Sequence, residues 1–410
     1  MHFIYNTSIR IYYWLIILVS FFNKKAKLFV DGRKNVFEEL SNIDNNNKLA
    51  WFHCASLGEF EQGRPLIERF KKDYPTYKIL LTFFSPSGYE IRKNYKNANY
   101  ITYLPIDTPK KAKKFISLVK PNIVFFVKYE FWYNFIKEIN NNKIPFYVVS
   151  SIFRENQIFF KWYGKWYRKA LFNVNRFFVQ DKQSQQLLEK FGLSKVTIAG
   201  DTRFDRVFEI SKKVQELPII KNFKNNSQVF IAGSSWKPDE EIITKYINKN
   251  YNKIKFIIAP HEIDEINIRR IENAISGNIE VIRYSKASEE NVSSARVLII
   301  DNIGLLSSIY KYGDIAYIGG GFGKGIHNIL EAACYGMPVM FGPNYNKFKE
   351  ANDLIKNKGA FSIESYKEFE NRLNGFVNSD NQLRQAGNIS ARYINNNKGV
   401  TDRILDSLDI

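Results

Sequence analysis

A glycine-rich loop that runs into a helix-like segment is the strongest chemical signal in this sequence. The stretch GGGFGKGIHNILEAACYG, residues 319–336, follows the strand-like run IAYI. Without β-carbons the loop lets a ligand approach its backbone, and Asn328 is a favoured helix N-cap. Free N–H groups, the start of a helix and Lys324 together predict an anion site, with Glu331 one turn further in to accept hydrogen bonds from ribose hydroxyls. The alternative is that the glycines only make a turn and that Glu331 pairs with a lysine.

The spacing of this loop excludes two common nucleotide motifs. An ATP-binding loop needs glycine where Ile318 stands and a hydroxyl residue where Gly325 stands, so the magnesium ligand is missing. The dinucleotide fingerprint needs glycine at the position of Lys324. We therefore expect neither an ATP loop nor a nicotinamide cofactor.

A second candidate, Glu59, lies in the segment HCASLGEFEQG near the start of the chain. The run LAWFHCAS predicts a strand that ends at Ser56, with a turn at Gly58 and Glu59 at or just before the next helix. A carboxylate at the carboxyl edge of a sheet can take a proton from an acceptor hydroxyl. Acidic residues are also common in any first helical turn, because they interact favourably with the helix dipole.

Composition limits the classes of function. There are 60 Lys and Arg against 41 Asp and Glu, a net charge of +19, which favours nucleic acid or an anionic membrane surface as partner. The excess of Lys, Asn and Ile is equally what an AT-rich genome would produce. Cys54 and Cys334 fit no metal-ligand pattern and indicate a reducing compartment, and four histidines give no zinc cluster.

Residues 1–30 predict a membrane anchor. The apolar core, residues 11–22, is shorter than the roughly 20 residues that span a bilayer unless upstream residues join it. Arg10 precedes the core, lysines follow it, and no signal-peptide cleavage signature is present. The segment either spans the membrane or lies in its interface with the basic side cytoplasmic, the alternative being an ordinary amphipathic first helix.

Short β-rich runs alternate with amphipathic segments along the rest of the chain, and the alternation lapses only near residues 208–226. This pattern predicts an α/β protein with two doubly wound, Rossmann-like domains and a ligand between them at the carboxyl ends of the strands. We expect an N-terminal domain over residues 31–207, a linker over 208–226, and a C-terminal domain over 227–410 that includes closing C-terminal helices.

Seven ordered motifs identify a resemblance to a known family. They are HCASLGEFEQGRPLI, YLPIDTP, KYEFW, GDTRFD, IIAPHE, DNIGLL and YIGGGFGKGIHNILEAACYGMPVMFGPNYNKFKEA. Together they resemble the 3-deoxy-D-manno-octulosonic acid (Kdo) transferases, glycosyltransferase family 30, from about residue 48 to residue 359. The resemblance implies a membrane-associated GT-B enzyme that transfers Kdo from CMP-Kdo to a lipid A precursor.

The resemblance also implies roles for matching residues. Glu59 matches the family's general base, and Glu130 and Arg203 match its transition-state-stabilising residues, the latter usually a lysine. The family's CMP contacts fall on three groups of positions: Pro260 and His261; Ile303, Gly304 and Leu305; and Asn328, Ile329, Leu330 and Glu331.

Three departures from the family pattern affect these expectations. His261 stands where the family often has arginine, and Leu305 stands where it has glutamate, so Leu305 offers only a backbone group. KYEFW replaces the more usual E-T-E-x-W around Glu130.

The implied reaction is direct displacement with inversion, in which Glu59 deprotonates a sugar hydroxyl of lipid IVA that attacks C2 of Kdo. The donor carries a single phosphate and no D-x-D-type acidic pair is evident, so we expect no metal and no cofactor, with Lys324 as a further candidate phosphate contact. The expected surroundings are the cytoplasmic face of the inner membrane and its anionic surface, without nucleic acid. Two rivals stay open: another GT-B lipid glycosyltransferase that uses a UDP-sugar, and a basic, non-catalytic membrane-binding protein.

Overall fold

The computed structural model describes residues 2–213 and 216–408. The chain forms two compact units: unit 1 is Met1–Arg206 with Gly399–Ile410, and unit 2 is Val207–Lys398. Each unit is an α/β layer structure with its own sheet, which confirms the predicted fold class.

Unit 1 is built on a parallel sheet of seven strands in the order β3-β2-β1-β4-β5-β6-β7. Its central strands are buried on both faces and are almost wholly apolar, as expected for a sheet covered by helices. The strands are β1 (Lys48–Cys54), β2 (Tyr77–Phe83), β3 (Tyr100–Tyr103), β4 (Ile123–Val127), β5 (Phe146–Ser151), β6 (Arg176–Val179) and β7 (Val196–Ile198).

Two apolar clusters cover the two faces of this sheet. The helices of unit 1 are α1 (His2–Ser20), α2 (Lys24–Asp31), α3 (Val36–Ser41), α4 (Leu57–Asp73), α5 (Pro86–Arg92), α6 (Pro109–Val119), α7 (Tyr133–Asn141), α8 (Lys165–Leu171), α9 (Lys182–Lys190), the first part of α10 (Arg203–Lys212) and α19 (Val400–Leu405).

Unit 2 repeats the plan with strand order β10-β11-β9-β8-β12-β13-β14, again with parallel pairs. Its strands are β8 (Val229–Ser235), β9 (Lys255–Pro260), β10 (Val281–Arg283), β11 (Val297–Ile299), β12 (Ile315–Ile318), β13 (Val339–Phe341) and β14 (Ala360–Ser362). Its helices are α11 (Pro218–Lys224), α12 (Lys237–Asn250), α13 (Glu265–Ala274), α14 (Leu306–Ile309), α15 (Leu330–Ala333), α16 (Lys349–Lys356), α17 (Tyr366–Val377) and α18 (Asp380–Asn397).

The strand orders identify a topological switch point in each unit. In unit 1 the chain moves from β1 to β2 and β3 on one side and then to β4 on the other side of β1. In unit 2 the strands β9 to β11 lie on one side of β8 and β12 on the other. Ligands of open α/β sheets bind at the carboxyl ends of the two strands flanking such a point, here β1 and β4, and β8 and β12.

The structure differs from the sequence expectation at two domain borders. Residues 208–226 were expected as a linker, but α10 and α11 occupy much of this stretch. The last helix belongs to unit 1, although the sequence assigned it to the C-terminal domain. The cause is a contact between distant parts of the chain. The carboxylate of Asp205 accepts hydrogen bonds from the amides of Gly399 and Thr401, and Val400 and Ile404 are buried in the core of unit 1.

Candidate functional site

The carboxyl ends of β1 and β4, which we call the carboxylate edge, hold Glu59 and Glu130. Glu59 lies in the first turn of α4, whose N-cap is Ser56. Gly58 is already helical and an added β-carbon there would meet nothing within 4 Å, so the turn expected at this glycine is not formed. The Glu59 side chain is only 9% exposed and its Oε2 accepts a hydrogen bond from the Ala55 amide at 2.5 Å.

Glu130 follows β4, the neighbour of β1 across the switch point. The chain leaves β4 through Lys128, which has a left-handed φ of 67°, and this bend starts the irregular segment that carries Glu130. Its Oε2 accepts a hydrogen bond from the Trp132 indole Nε1 at 2.8 Å. The same Oε2 is 3.7 Å from Nε2 of His53, a residue of β1.

Burial and like charge change the proton affinity of Glu59. Burial is the larger cause and the charge of Glu130 the second, and together they raise the pKa of Glu59 to about 7. The Ala55 amide and the Lys128 ammonium oppose the rise. A carboxyl that titrates near neutral pH is suited to accept a proton as a general base.

Arg203, the third predicted catalytic residue, begins α10 after β7. Its backbone N–H and its Nε donate to the two oxygens of Asp201, at 2.9 and 2.8 Å, so the guanidinium is held in place. Burial raises the pKa of Tyr129, and the charges of Glu59 and Arg203 also act on its phenol. The fold thus gathers the three predicted residues around one end of the unit 1 sheet.

The carboxyl ends of β8 and β12, which we call the glycine edge, carry the glycine loop of unit 2. An added β-carbon on Gly319 would lie 2.2 Å from the Ser234 carbonyl oxygen, and one on Gly321 would lie 2.5 Å from the Gly342 amide nitrogen. The loop therefore packs backbone against backbone, which is why the sequence has glycine there. The buried carboxylate of Asp239 accepts from the Gly320 amide at 3.0 Å and fixes the loop to α12.

The helix after the loop is shorter than predicted. It begins at Leu330, not at His327 or Asn328, and has only four residues. Asn328 nevertheless accepts a hydrogen bond from the Leu330 amide at 3.2 Å and donates one to Glu331 Oε1 at 3.0 Å. Such a short helix has little dipole, so an anion at this edge would gain little from a helix terminus. The amides of Gly319, Gly323, Gly325 and His327 already donate to backbone carbonyls, as the Gly320 amide does to Asp239.

The other predicted CMP contacts lie at the same end of the unit 2 sheet. Pro260 ends β9 and is buried, whereas His261 is exposed. Ile303 and Gly304 follow β11 in an exposed loop, and Leu305 precedes α14. Two further predicted contacts, Ile329 and Leu330, are fully buried and therefore offer a ligand only backbone groups, while Lys324 is exposed in the glycine loop.

An aromatic stack at the glycine edge was missed by the sequence analysis. His261 lies 4.5 Å from Trp236 and 4.6 Å from His327, measured between ring centroids, with both pairs stacked. Trp236 Nε1 donates to His327 Nε2 at 3.1 Å, and burial lowers the pKa of His327. His327 therefore carries its proton on Nδ1, which is left as a donor. A histidine in the glycine loop was a usable signal, but no sequence pattern links it to Trp236, 91 positions away.

Within the described residues no group of three or more His, Cys, Asp or Glu side chains is arranged to hold a metal ion. Helix α1 is long and apolar enough to cross a membrane, and none of its residues is buried. It is not detached from unit 1, since Tyr5 Oη donates to Asp107 Oδ2 at 2.5 Å and Asn134 Nδ2 donates to Asn6 Oδ1 at 2.9 Å.

The amino-acid sequence is similar to a known family model and to those of known proteins. Residues 32–206 match the family model of 3-deoxy-D-manno-octulosonic-acid transferase (Kdo transferase). The chain is 28% identical to the 3-deoxy-D-manno-octulosonic acid transferase of Aquifex aeolicus over 83% of its own length and 90% of that protein. For the same enzyme of Haemophilus influenzae the identity is 26%, over 87% and 86%.

One relative is much longer than this chain. The bifunctional glycosyltransferase/methyltransferase of Fusobacterium nucleatum is 27% identical over 88% of the chain, and the chain spans 57% of that relative's length.

Solved structures share the fold at low identity. The UDP-GlcNAc 2-epimerase of Neisseria meningitidis bound to UDP-GlcNAc has a TM-score of 0.61 and 15% identity, covering 87% of this chain and 98% of that one. A glycosyltransferase of Rickettsia africae has a TM-score of 0.57 and 12% identity, covering 88% and 97%. At these identities the likeness shows the fold, in agreement with the predicted GT-B class.

Proposed function

We propose that this homologue of the Kdo transferases moves Kdo from CMP-Kdo to a lipid A precursor, lipid IVA, with inversion at C2 of Kdo. The observation that carries the proposal is Glu59, which lies at the switch point of unit 1, is largely buried, and has a pKa raised to about 7. The homology supports a glycosyltransferase, and this carboxyl is the group on the carboxylate edge that is best suited to activate an acceptor hydroxyl.

In the proposed reaction the Glu59 carboxylate accepts the proton of a sugar hydroxyl on the acceptor. The hydroxyl oxygen forms a bond to C2 of Kdo while the bond from C2 to the phosphate oxygen breaks, and CMP leaves with that electron pair. Glu130 and Arg203 stabilise the charges that develop, since both are held by fixed partners and need little rearrangement.

The glycine edge is the proposed donor site. The Glu331 carboxylate is positioned by the Asn328 amide and can accept hydrogen bonds from ribose hydroxyls. The proposed phosphate donors are His327 Nδ1 and those loop amides that do not already donate within the protein, as the amides of Gly319, Gly320, Gly323, Gly325 and His327 do. Ile329 and Leu330 contribute only through the backbone. These donors suit a monophosphate, and we propose that transfer needs no metal ion, so that activity persists in excess chelator.

We further propose that α1 attaches the enzyme to the cytoplasmic face of the inner membrane by lying in the interface instead of spanning it. Tyr5 and Asn6 are hydrogen-bonded to unit 1, which keeps this half of the helix at the level of the folded protein. The large exposed apolar side chains would enter the lipid. Phe3 and Ile4 lie beside Tyr5, and the others lie further along the segment: Ile11, Tyr12, Trp14, Leu15, Leu18, Val19, Phe21 and Phe22.

Single cysteines test the membrane arrangement. In a background lacking Cys54 and Cys334, Phe3→Cys and Phe22→Cys would be reconstituted separately with preformed closed vesicles and treated with a membrane-impermeant maleimide from outside. An interfacial helix predicts labelling of both positions, with slower labelling in the presence of lipid than in detergent-free buffer. Labelling of only one of the two would show that the helix spans the bilayer.

Product analysis tests the function. Purified full-length protein incubated with CMP-Kdo and lipid IVA should release CMP and give an acceptor heavier by one or more Kdo residues in mass spectrometry. A parallel thermal-shift measurement should show greater stabilisation by CMP than by UDP. Stabilisation by UDP alone, with no Kdo transfer, would assign the chain to the UDP-sugar transferases, and no stabilisation by either nucleotide would favour a non-catalytic membrane protein.

A further inference from the structure

His53, in β1 directly under the carboxylate edge, has an unusual environment. Its side chain is fully buried, and within the described part of the chain its Nε2 has no hydrogen-bond partner. A buried polar atom without a partner is destabilising unless something else compensates for its lost hydration. The neighbour that can compensate is Glu130, whose Oε2 lies 3.7 Å from this nitrogen.

The other ring nitrogen of His53 is held from the opposite side. Nδ1 lies 2.9 Å from Thr82 Oγ1 and 3.2 Å from the Thr82 carbonyl oxygen, and Trp51 Nε1 donates to the same hydroxyl at 2.8 Å. These contacts fix the plane of the ring and aim Nε2 at Glu130. The ring also packs edge-on against Phe126 at 5.1 Å between centroids.

Of the three protonation states of the ring, two carry a hydrogen on Nε2: the Nε2–H tautomer and the imidazolium. The third state, the Nδ1–H tautomer, points the lone pair of Nε2 at the Glu130 carboxylate, which is electrostatically unfavourable in a buried site. The distance of 3.7 Å exceeds a normal hydrogen bond and is that of an ion pair or a bond that shortens with a small side-chain movement.

We propose that His53 is a positioning residue for Glu130, donating Nε2–H to its carboxylate and so stabilising that carboxylate and fixing its orientation beside Glu59. The inference rests on the function proposed above and adds to it a residue that acts through Glu130 and does not itself touch substrate. Trp132 donates to the same oxygen from the other side, so removal of His53 leaves Glu130 with one side-chain donor in place of two.

Other groups that act on this pair of carboxyls define what the test must hold constant. The charged and titratable side chains whose fields reach Glu59, Glu130 or their immediate neighbours are Cys54, Glu61, Lys128, Tyr129, Arg154, Tyr167, Asp201 and Arg203. The variants described below leave all of them unchanged.

The test uses two amides that each replace one ring nitrogen. In His53→Gln the side-chain N–H reaches about as far as Nε2 and can still donate to Glu130. In His53→Asn it reaches only as far as Nδ1 and can pair with Thr82 but not with Glu130. Both variants lose the ring and its packing, so a purely structural role predicts similar behaviour for the two.

The main measurement is the acid side of the pH profile of kcat/KM for CMP release from CMP-Kdo in the presence of acceptor. As pH is lowered, we expect kcat/KM of the wild type and of His53→Gln to fall with a slope of one proton. For His53→Asn, kcat/KM should fall with a slope approaching two protons, because the two carboxyls, Glu59 and Glu130, then bind a second proton closer to neutral pH. Equal one-proton slopes in both variants would overturn the proposal.

An activity-independent readout separates this inference from the proposed function. Infrared difference titration of protein labelled with ¹³C-glutamate follows the buried carboxyls directly, with bands assigned by their loss in Glu59→Gln and Glu130→Gln. We expect the Glu130 band to titrate at higher pH in His53→Asn than in the wild type or His53→Gln. If the wild type shows no transfer, the proposed function fails while this titration still decides the role of His53.

A third variant covers failure of His53→Asn to fold. Thr82→Val keeps the imidazole but removes the hydroxyl that holds Nδ1, so it should move the Glu130 band in the same direction by a smaller amount. An unchanged band in Thr82→Val and in the soluble His53 variants would show that His53 only fills the core.

Discussion

The two switch points of this molecule are lined by different kinds of chemical group. At the carboxylate edge of unit 1 the important groups are buried side chains, with Glu59 and Glu130 close enough that the charge of one changes the pKa of the other. At the glycine edge of unit 2 the important groups are largely backbone, since Gly319 and Gly321 leave no room for a β-carbon. Under the proposed function, equivalent topological positions would serve proton transfer in one unit and anion binding in the other.

The difference has a physical cause. A base must change its charge during the reaction, which requires a titratable side chain whose proton affinity is set by burial and neighbours. An anion site needs fixed donors that do not titrate, and backbone amides meet that need. The predictions below test this division, from the largest expected effect to the smallest.

Glu59→Gln should show the largest loss of activity. The amide keeps the shape of the side chain but cannot accept the acceptor's proton, so kcat for CMP release should fall about 10² to 10⁴-fold. The matched control is Glu61→Gln on the same helix, whose carboxylate pairs with Arg92 at 2.8 Å. A loss in the control equal to that in Glu59→Gln would remove the distinction between a base and a surface carboxylate.

The same substitution should stabilise the folded protein at alkaline pH. The folded pKa of Glu59 is raised, so the unfolded chain binds fewer protons than the folded one between its ordinary value near 4.5 and about 7, and stability falls as pH rises through this window. Glu59→Gln removes this destabilisation, which is on the order of 3 kcal/mol above pH about 7. Chemical unfolding at pH 5 and pH 8 should show the gain mainly at pH 8, and a gain of the same size at both would contradict the linkage.

The pH dependence of the wild type should report the same carboxyl. Because Glu59 must be ionised to act as base, kcat/KM should decrease about tenfold per pH unit below its pKa of about 7. CMP binding, followed by calorimetry over the same range, should lack a transition at the pKa of Glu59. It should change only at lower pH, through the second ionisation of the CMP phosphate at about pH 6 and through His327, whose pKa burial lowers. A matching transition in CMP affinity would argue against separate roles for the two edges.

Gly319→Ala should weaken CMP binding with little effect on proton chemistry. Its β-carbon would lie 2.2 Å from the Ser234 carbonyl oxygen, so the loop must shift, and we expect Kd for CMP to rise about tenfold. Gly323→Ala is the control within the loop, since its β-carbon would meet its nearest atom at 3.6 Å. The acid side of the kcat profile should remain that of the wild type in both variants.

Lys324→Ala should have the smallest effect. The side chain is exposed, so a charge contact with the donor phosphate should change Kd for CMP only about two- to fivefold and should vanish at high salt. Lys311→Ala, exposed on a different part of unit 2, should leave Kd unchanged. A larger, salt-independent loss for Lys324→Ala would mean that the lysine is enclosed with the ligand, and the glycine edge would then depend on a side chain after all.

Much of this architecture was predictable from local sequence. Continuous apolar runs such as residues 123–127 specify buried parallel strands, and their alternation with amphipathic segments specifies two α/β units. The glycine loop and Glu59 were recognisable because a close backbone approach and an acid after a strand leave a signature within a few residues. The family motifs then gave Glu130 and Arg203 their expected roles.

Only the tertiary structure decided which distant groups meet. Helix α15 begins at Leu330 and not at the predicted His327 or Asn328, because caps and loop packing set helix ends more than composition does. The return of α19 to unit 1 depends on Asp205, almost two hundred residues earlier in the chain.

The same holds for the sites. The stack of Trp236 with His261 and His327 depends on which strands are neighbours in the sheet, and so does the approach of His53 to Glu130. Sequence determines periodicity, propensity and local turns, because these act over a few residues. Contacts across strands, and the proton affinities that burial and neighbouring charges impose, exist only once the sheet order has brought those residues together.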